Sequence, residues 1–223
     1  MFGFLNYLST ITRPNLVYAV SLIGRYNSNP NQEHLDAVLR IYAYLIGIKH
    51  YGLFYTKDNR ELKGFVDSDY ESCLNTARST TGWIFTLAES SIFWASKRQQ
   101  TVSLFSTEAE YMAATEAAKE AIWIKSFVND LGIANYQLGS IQLYVDNASA
   151  IKLSKNPEFH QRTKHIAIRH YFVRECVEDG YIQIIWIKGT ENLADAFTKV
   201  LRRPKFEAFL DAAGLDRGHR SIR

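Results

Sequence analysis

The 223-residue chain holds only two cysteines, Cys73 and Cys176, far apart and outside any CxxC pair. That scarcity excludes a disulfide framework and a zinc knuckle and leaves free thiols in a reducing compartment. Its apolar stretches are soon broken by Arg, Asn, Glu or Lys, and its N-terminus lacks a basic segment followed by an apolar one. Neither a spanning helix nor a secretory signal is therefore read. Internal repeats and low-complexity tracts are absent as well. What is present, 47% hydrophobic and 22% charged residues, is the make-up of an ordinary folded, soluble, intracellular domain with material for a core. A net charge of +3 leans toward an anionic partner without identifying one.

Hydrophobic periodicity divides the chain. Two helices fill the N-terminal part, because Thr12-Arg13-Pro14 opens one apolar run and Asn29-Pro30-Asn31 closes it and starts another. The second run sets Leu35, Val38, Leu39, Tyr42, Leu45 and Ile46 on one face, which needs a partner. From Tyr51 the pattern becomes extended, with strands predicted at Gly52–Thr56, Leu62–Asp67, Thr81–Ala88 and Ser91–Ser96. Ser106 or Thr107, followed by Glu108 and Glu110, reads as the capped start of a long helix that Gly132 ends. After it come a strand at Ile141–Asp146, a short helix from Asn147, a helix at Thr163–Asp179, a strand at Tyr181–Ile187, and helices near Leu193 and Pro204. This order predicts an α/β fold with a five-stranded mixed sheet, three antiparallel strands followed by two parallel additions, flanked by helices and preceded by a helical segment. The expected boundaries are a helical segment at 1–56, the α/β domain at 57–215 and a frayed basic tail at 216–223.

Four acids stand at strand ends or helix beginnings: Asp67 and Asp146 end extended runs, Glu110 lies in the first turn of the long helix, and Asp195 begins a short one. In a mixed sheet such places can converge at one edge. Carboxylates gathered there repel one another unless cations lie between them, and oxygen ligands without a His or Cys cluster suit Mg²⁺ or Mn²⁺. Two such ions about 4 Å apart can clamp the attacking and leaving oxygens of a phosphoryl displacement. Singly, each acid is equally an ordinary turn or helix-start residue; together, in this order of elements, they favour a site. Asp69, read as past the turn, and Glu108, read as a helix-start acid, take supporting roles.

Arg78, Ser79 and Thr80, with Lys97, Arg98, Gln99 and Gln100, lie in loops flanking that edge and can hold phosphates without reading sequence. A solvated turn is the plainer reading of the same residues. His160, His165 and His170 recur every five positions, which turns each by ~140° on a helix, so they form no metal-binding face. Trp83, Trp94, Trp123 and Trp186 fall in apolar runs and read as core.

Several blocks, in this order, carry a family likeness: Gly64–Asp69 (GFVDSD), Arg78–Gly82 (RSTTG), Ser96–Gln99 (SKRQ), Ser106–Tyr111 (STEAEY), Tyr144–Asn147 (YVDN) and Asn192–Asp195 (NLAD). The chain there resembles the ribonuclease H (RNase H) domain of copia-type (Pseudoviridae) LTR retrotransposon polyproteins. Arg162–His165 and Arg169–Glu175 look like a later helix of the same family. Leu5–Leu8, Thr12–Pro14 and Tyr42–Leu45 resemble the end of its reverse transcriptase. A start inside that tail predicts a truncated reading frame or a polyprotein fragment.

The resemblance implies an RNase H-like fold and a two-metal endonuclease cutting the RNA strand of an RNA–DNA hybrid. Asp67, Glu110, Asp146 and Asp195 would be its metal-binding acids, and Mg²⁺ its ion, with Mn²⁺ as substitute. The 2′-hydroxyls would mark the RNA strand. Arg78, Ser79, Thr80, Lys97, Arg98, Gln100, Asn147 and Lys188 are the expected nucleic-acid contacts. The remaining reverse transcriptase and polyprotein would be partners, in the cytoplasm, a virus-like particle or the nucleus.

Three departures stand out. No His lies in Ile187–Asn192, so either turnover slows or Lys188 helps product leave. Little room remains between Asp146 and Thr163 for a basic projection that grips hybrid, and Glu71-Ser72-Cys73 replaces an expected small turn. Tyr144–Asn147 ends in Asn where a polymerase would carry its second Asp, so DNA synthesis is not expected. The alternatives are a non-catalytic module of the same fold that binds nucleic acid or braces a polymerase, and a related nuclease, transposase or integrase with another substrate.

Overall fold

A computed structural model describes residues 2–56, 61–70, 76–103, 105–132, 138–147 and 164–217. The turn at Glu71–Cys73, the helix expected after Asn147, His160 and the tail beyond residue 217 lie outside the described residues, as do the side chains of His165 and His170.

A five-stranded mixed sheet forms the centre, as the alternation of sequence predicts. Its strands are β2 (Lys63–Asp69), β3 (Thr80–Leu87), β4 (Ser90–Arg98), β5 (Ile141–Val145) and β6 (Ile182–Trp186), in the spatial order β4-β3-β2-β5-β6. β2, β3 and β4 pair antiparallel, whereas β5 and β6 add parallel to β2. β3 and β4 join through Ala88 and Glu89, both at positive φ (54° and 61°), a two-residue turn whose twist suits a hairpin although neither residue is glycine.

Helices cover both faces, so β2 is buried on either side. On one face Val66, Trp83, Phe85, Leu143 and Val145 pack against α4 (Ser106–Asp130) and α5 (Lys164–Glu178). Ala113, Ala117, Ala118 and Ala121 are fully buried there, and their small size lets α4 lie close to the strands. On the opposite face Phe65, Ile84 and Trp94 pack against a 3-10 turn (Leu193–Phe197) and α6 (Arg203–Ala212). The alternation of Phe65 and Val66 across β2 thus separates two cores.

The N-terminal segment holds α1 (Phe2–Ile11), α2 (Val17–Gly24) and α3 (Gln32–Gly47), with a short 3-10 turn at Pro14–Leu16. The helix at Phe2–Ile11 adds to the expected pair. Asn31 caps α3 by accepting from the His34 amide at 3.1 Å, as its position after Pro30 suggests. Leu5, Leu16, Val20, Val38 and Ile41 make a small core. The expected apolar face of α3 is only partly covered: Val38 is buried, but Leu35, Leu39 and Ile46 are exposed. The segment also packs on the sheet, where Trp94 Nε1 donates to the Ser9 carbonyl at 2.7 Å. β1 (Gly52–Leu53), shorter than expected, pairs antiparallel with β7 (Leu215–Asp216), so Asp216 belongs to a strand and not to the predicted tail.

Trp83 and Trp94 are core residues as read, but Trp123 and Trp186 are about half exposed. Trp123 sits on the outer side of α4 and Trp186 ends the edge strand β6, positions that an apolar run alone does not distinguish. Cys176 is buried with a free thiol. No helix among the described residues is long and apolar enough to cross a membrane.

Candidate metal centre

β2 continues past Asp67 to Asp69, so Asp69 lies within the strand and on the same side as Asp67, not beyond a turn. Asp67 faces Gly82 across the antiparallel pair, and Asp69 faces Thr80. Asp146 follows the last residue of β5, and Asp195 sits in the 3-10 turn that crosses the Phe65 side. Carboxylate oxygens of Asp67, Asp146 and Asp195 all lie within 4.8 Å of one another.

The 3-10 turn is fastened in two ways. Parallel pairing between β2 and β5 stops at Phe65 opposite Tyr144. There the buried Asn192 donates from Nδ2 to the Val66 carbonyl at 2.9 Å and accepts from the Ala194 amide at 3.1 Å. One side chain therefore satisfies a strand carbonyl and caps the turn that carries Asp195. Thr198 Oγ1 donates to Asp67 Oδ2, which ties the end of the turn to the first acid.

Glu110 comes from α4 and therefore approaches from the other face of the sheet. It lies in the second turn of the helix, which begins at Ser106, and Glu108 is the first-turn acid. Phe105 stands at the cap position without a side-chain bond, so the expected Ser or Thr cap is not formed. Gln99 positions this helix end: its buried amide donates to Thr81 Oγ1 at 3.0 Å and to the Ala109 carbonyl at 2.9 Å. Glu110 stands outside the close trio, yet the charges of Asp67 and Asp146 act on it.

Burial and crowding set the protonation of the acids. Burial, then the charges of Asp67 and Asp146, push the Glu110 carboxyl up to about 8. Burial pushes Asp67 up to about 6, with Lys199 and Thr198 opposing and Asp195 and Asp146 adding to the rise. Asp146 is also raised, chiefly by burial and then by Asp195. For Glu110 the folded value lies above the unfolded one of 4.5, so its stabilising contribution is complete below pH 4.5 and is lost as pH rises through about 8. Glu110→Gln is therefore expected to flatten the fall in stability over that interval by on the order of a few kcal/mol in chelator. Urea denaturation of parent and variant at both ends of the interval checks this, and parallel pH profiles would contradict it.

Cations already approach the trio. Lys199 Nζ is 2.8 Å from Asp195 Oδ1 and 3.7 Å from Asp67 Oδ2. Lys205 Nζ pairs with Asp195 Oδ2 and donates to the Gly189 carbonyl at 3.1 Å. A Cβ on Gly189 would stand 3.0 Å from Asp146 Oδ2, so the bare glycine lets this loop lie against that acid. The donor set fits a hard divalent cation. Oxygens sharing one Mg²⁺ at about 2.1 Å span at most roughly 4.2 Å, so the trio needs little contraction. The group located among the described residues contains only carboxylates.

The expected nucleic-acid contacts divide. Lys97, Arg98, Gln100 and Lys188 are exposed, and Arg78 and Asn147 are partly so. Ser79 and Thr80 are fully buried. Thr80 Oγ1 accepts from Arg25 at 3.1 Å, and Gln99 is a structural latch. Arg98 shares a cross-strand row with Thr80 and Asp69, whereas Lys97 points to the α4 side, where its charge acts on Glu120. Thr198, Lys199, Lys205 and Arg25 were missed in the sequence; Thr198 and Lys199 follow Asp195 within one turn, the only signal available.

The sequence is 41% identical over 213 residues to the retrovirus-related Pol polyprotein from transposon TNT 1-94 of Nicotiana tabacum, covering 96% of this chain and 16% of the relative. It is 38% identical over 216 residues to that from transposon RE1 of Arabidopsis thaliana, covering 96% of this chain and 14% of the relative. The chain thus spans only a small part of the curated relatives it matches. No family model matches. Among solved structures it is similar to an RNase H1 from the halophilic archaeon Halobacterium salinarum NRC-1, with a TM-score of 0.43 and 17% identity over 62% of this chain and 94% of that one.

Proposed function

We propose, for a chain homologous to the retrovirus-related Pol polyproteins of transposons, that it is an RNase H cutting the RNA strand of an RNA–DNA hybrid. The observation that carries this reading is the convergence of Asp67, Asp146 and Asp195 within 4.8 Å near the carboxyl ends of the inner strands β2 and β5. In this reading residues 57–215 are the nuclease domain of a copia-type element and residues 1–56 the end of its reverse transcriptase.

Asp67, Asp146 and Asp195 would hold divalent cations, Mg²⁺ or Mn²⁺, with Glu110 completing the set from α4. Bound there, such ions supply activation of water and stabilisation of the leaving 3′ oxygen. The protein's own part is positional. Asn192 and Thr198 fix the turn bearing Asp195 against β2, and Gln99 fixes the helix end bearing Glu110. Arg98, in the row of Asp69, with Arg78 and the exposed Lys188, would neutralise backbone phosphates beside the acids, Gln100 and Asn147 would donate hydrogen bonds to them, and Lys97 would act from the α4 side. The rest of the polyprotein would be the partner.

Purified protein with Mg²⁺ or Mn²⁺ is expected to cleave the RNA of a labelled hybrid, leaving 5′-phosphates, and to spare single-stranded RNA and duplex DNA. Asp146→Asn is expected to reduce the rate by roughly a thousandfold. Folded protein that leaves hybrid intact would favour the non-catalytic module, and equal cutting of duplex DNA would replace the substrate.

A further inference from the structure

We propose that Lys199 is a tethered counter-cation: its ammonium holds the carboxylate trio together in the metal-free protein and must be displaced when a divalent cation binds. This rests on the reading of the trio as a metal centre. Lys199 is the cation most centrally placed among the three acids. It pairs with Asp195 at 2.8 Å, lies 3.7 Å from Asp67, and interacts electrostatically with Asp146 as well. The carboxylates it joins are only 3% exposed, while its own side chain is 44% exposed.

The ammonium thus reaches the acids from solvent. A four-carbon stem of this kind can swing back into water without moving the backbone. Lys205 is differently held, because its ammonium also donates to the Gly189 carbonyl and so fastens the loop beside Asp146. Lys205 is a structural brace, whereas the Lys199 ammonium, among the described residues, pairs only with the acids.

Two consequences follow from charge alone. Without metal, the buried acids are partly neutralised by Lys199, which lowers their mutual repulsion. With metal, a divalent ion interacts more strongly with the same oxygens than a monovalent ammonium does. It binds, however, only after breaking the lysine pairs, so Lys199 lowers the apparent metal affinity while protecting the empty centre. Lys199 is a positioning residue in this scheme and takes no part in the chemistry.

The test measures Mn²⁺ binding by the electron paramagnetic resonance signal of free Mn²⁺, together with thermal melting in chelator and in saturating Mn²⁺. Parent, Lys199→Gln, Arg202→Gln and Asp146→Asn are compared. Arg202, exposed and close in sequence, controls for loss of a positive charge at a distance. Lys199→Gln is expected to bind Mn²⁺ roughly tenfold tighter and to melt lower than parent in chelator, with the difference closing in Mn²⁺. Arg202→Gln is expected to change affinity by less than about twofold. Equal or weaker binding by Lys199→Gln, or the same gain in Arg202→Gln, would overturn the proposal. Parental binding that is lost in Asp146→Asn, without a gain in Lys199→Gln, would refute only the role of Lys199. Absence of Mn²⁺ binding by every chain would remove the metal centre and this proposal together.

Discussion

Asp67→Asn is expected to lower hybrid cleavage by roughly a thousandfold and yet to raise the melting temperature of the metal-free protein near pH 8. The two effects share one cause. Asp67 is 2% exposed, and burial together with the neighbouring acids lifts its carboxyl to about 6 from 3.8. Its stabilising contribution is complete below 3.8 and is lost as pH rises through about 6, so at pH 8 the charged form destabilises the fold. Asparagine keeps the shape and still accepts from Thr198 through its amide oxygen, but it carries no charge to repel Asp146 and Asp195. The gain should be on the order of a few kcal/mol. The same neutral amide is a poor ligand for a hard cation. Cleavage assays beside melting curves in chelator check both halves, and an active variant or one that melts lower would count against the site as described.

Gly82→Val is expected to damage stability and the site together. Gly82 lies opposite Asp67, where the turn carrying Asp195 crosses the sheet. A Cβ there would stand 2.6 Å from Phe197 Cβ, 2.7 Å from Thr198 Cγ2 and 3.1 Å from the Ala194 carbonyl. None of these atoms is the far end of a flexible side chain, so the turn itself must lift. Even Gly82→Ala is expected to cost about 1–3 kcal/mol. Cleavage per folded molecule should fall further, because the lifted turn takes Asp195, Thr198 and Lys199 away from Asp67. Urea denaturation, with activity corrected for folded fraction, separates the two; an alanine variant as stable and active as parent would show that the crossing tolerates more bulk.

Much of this was legible in the sequence. The strands of the central sheet and the long helix follow from alternation and helical spacing, which are local and survive without knowledge of neighbours. The acids were legible as residues near strand ends and helix starts, although β2 runs on past Asp67 to Asp69 and Glu110 lies in the second turn of α4. Less legible was their grouping. Asp67, Asp146 and Asp195 form the trio while Glu110 reaches them from the opposite face of the sheet, a difference set by which layer each element joins. The pair Lys97 and Arg98 reads as one basic patch in the sequence, but strand alternation sends the two residues to opposite faces.

By itself, the sequence determined the order of the sheet strands, the mixed sheet and the acids near the ends of its elements, because periodicity is written residue by residue. Only the tertiary structure decided what holds those acids in place. Asn192 meets Val66 across 126 positions of chain, and Thr198 meets Asp67 across 131. Such contacts depend on where a turn lands after the whole sheet has formed, so no local pattern records them. The same holds for Lys199: its ammonium becomes a counter-cation only once folding has brought the carboxylates of distant strands within its reach.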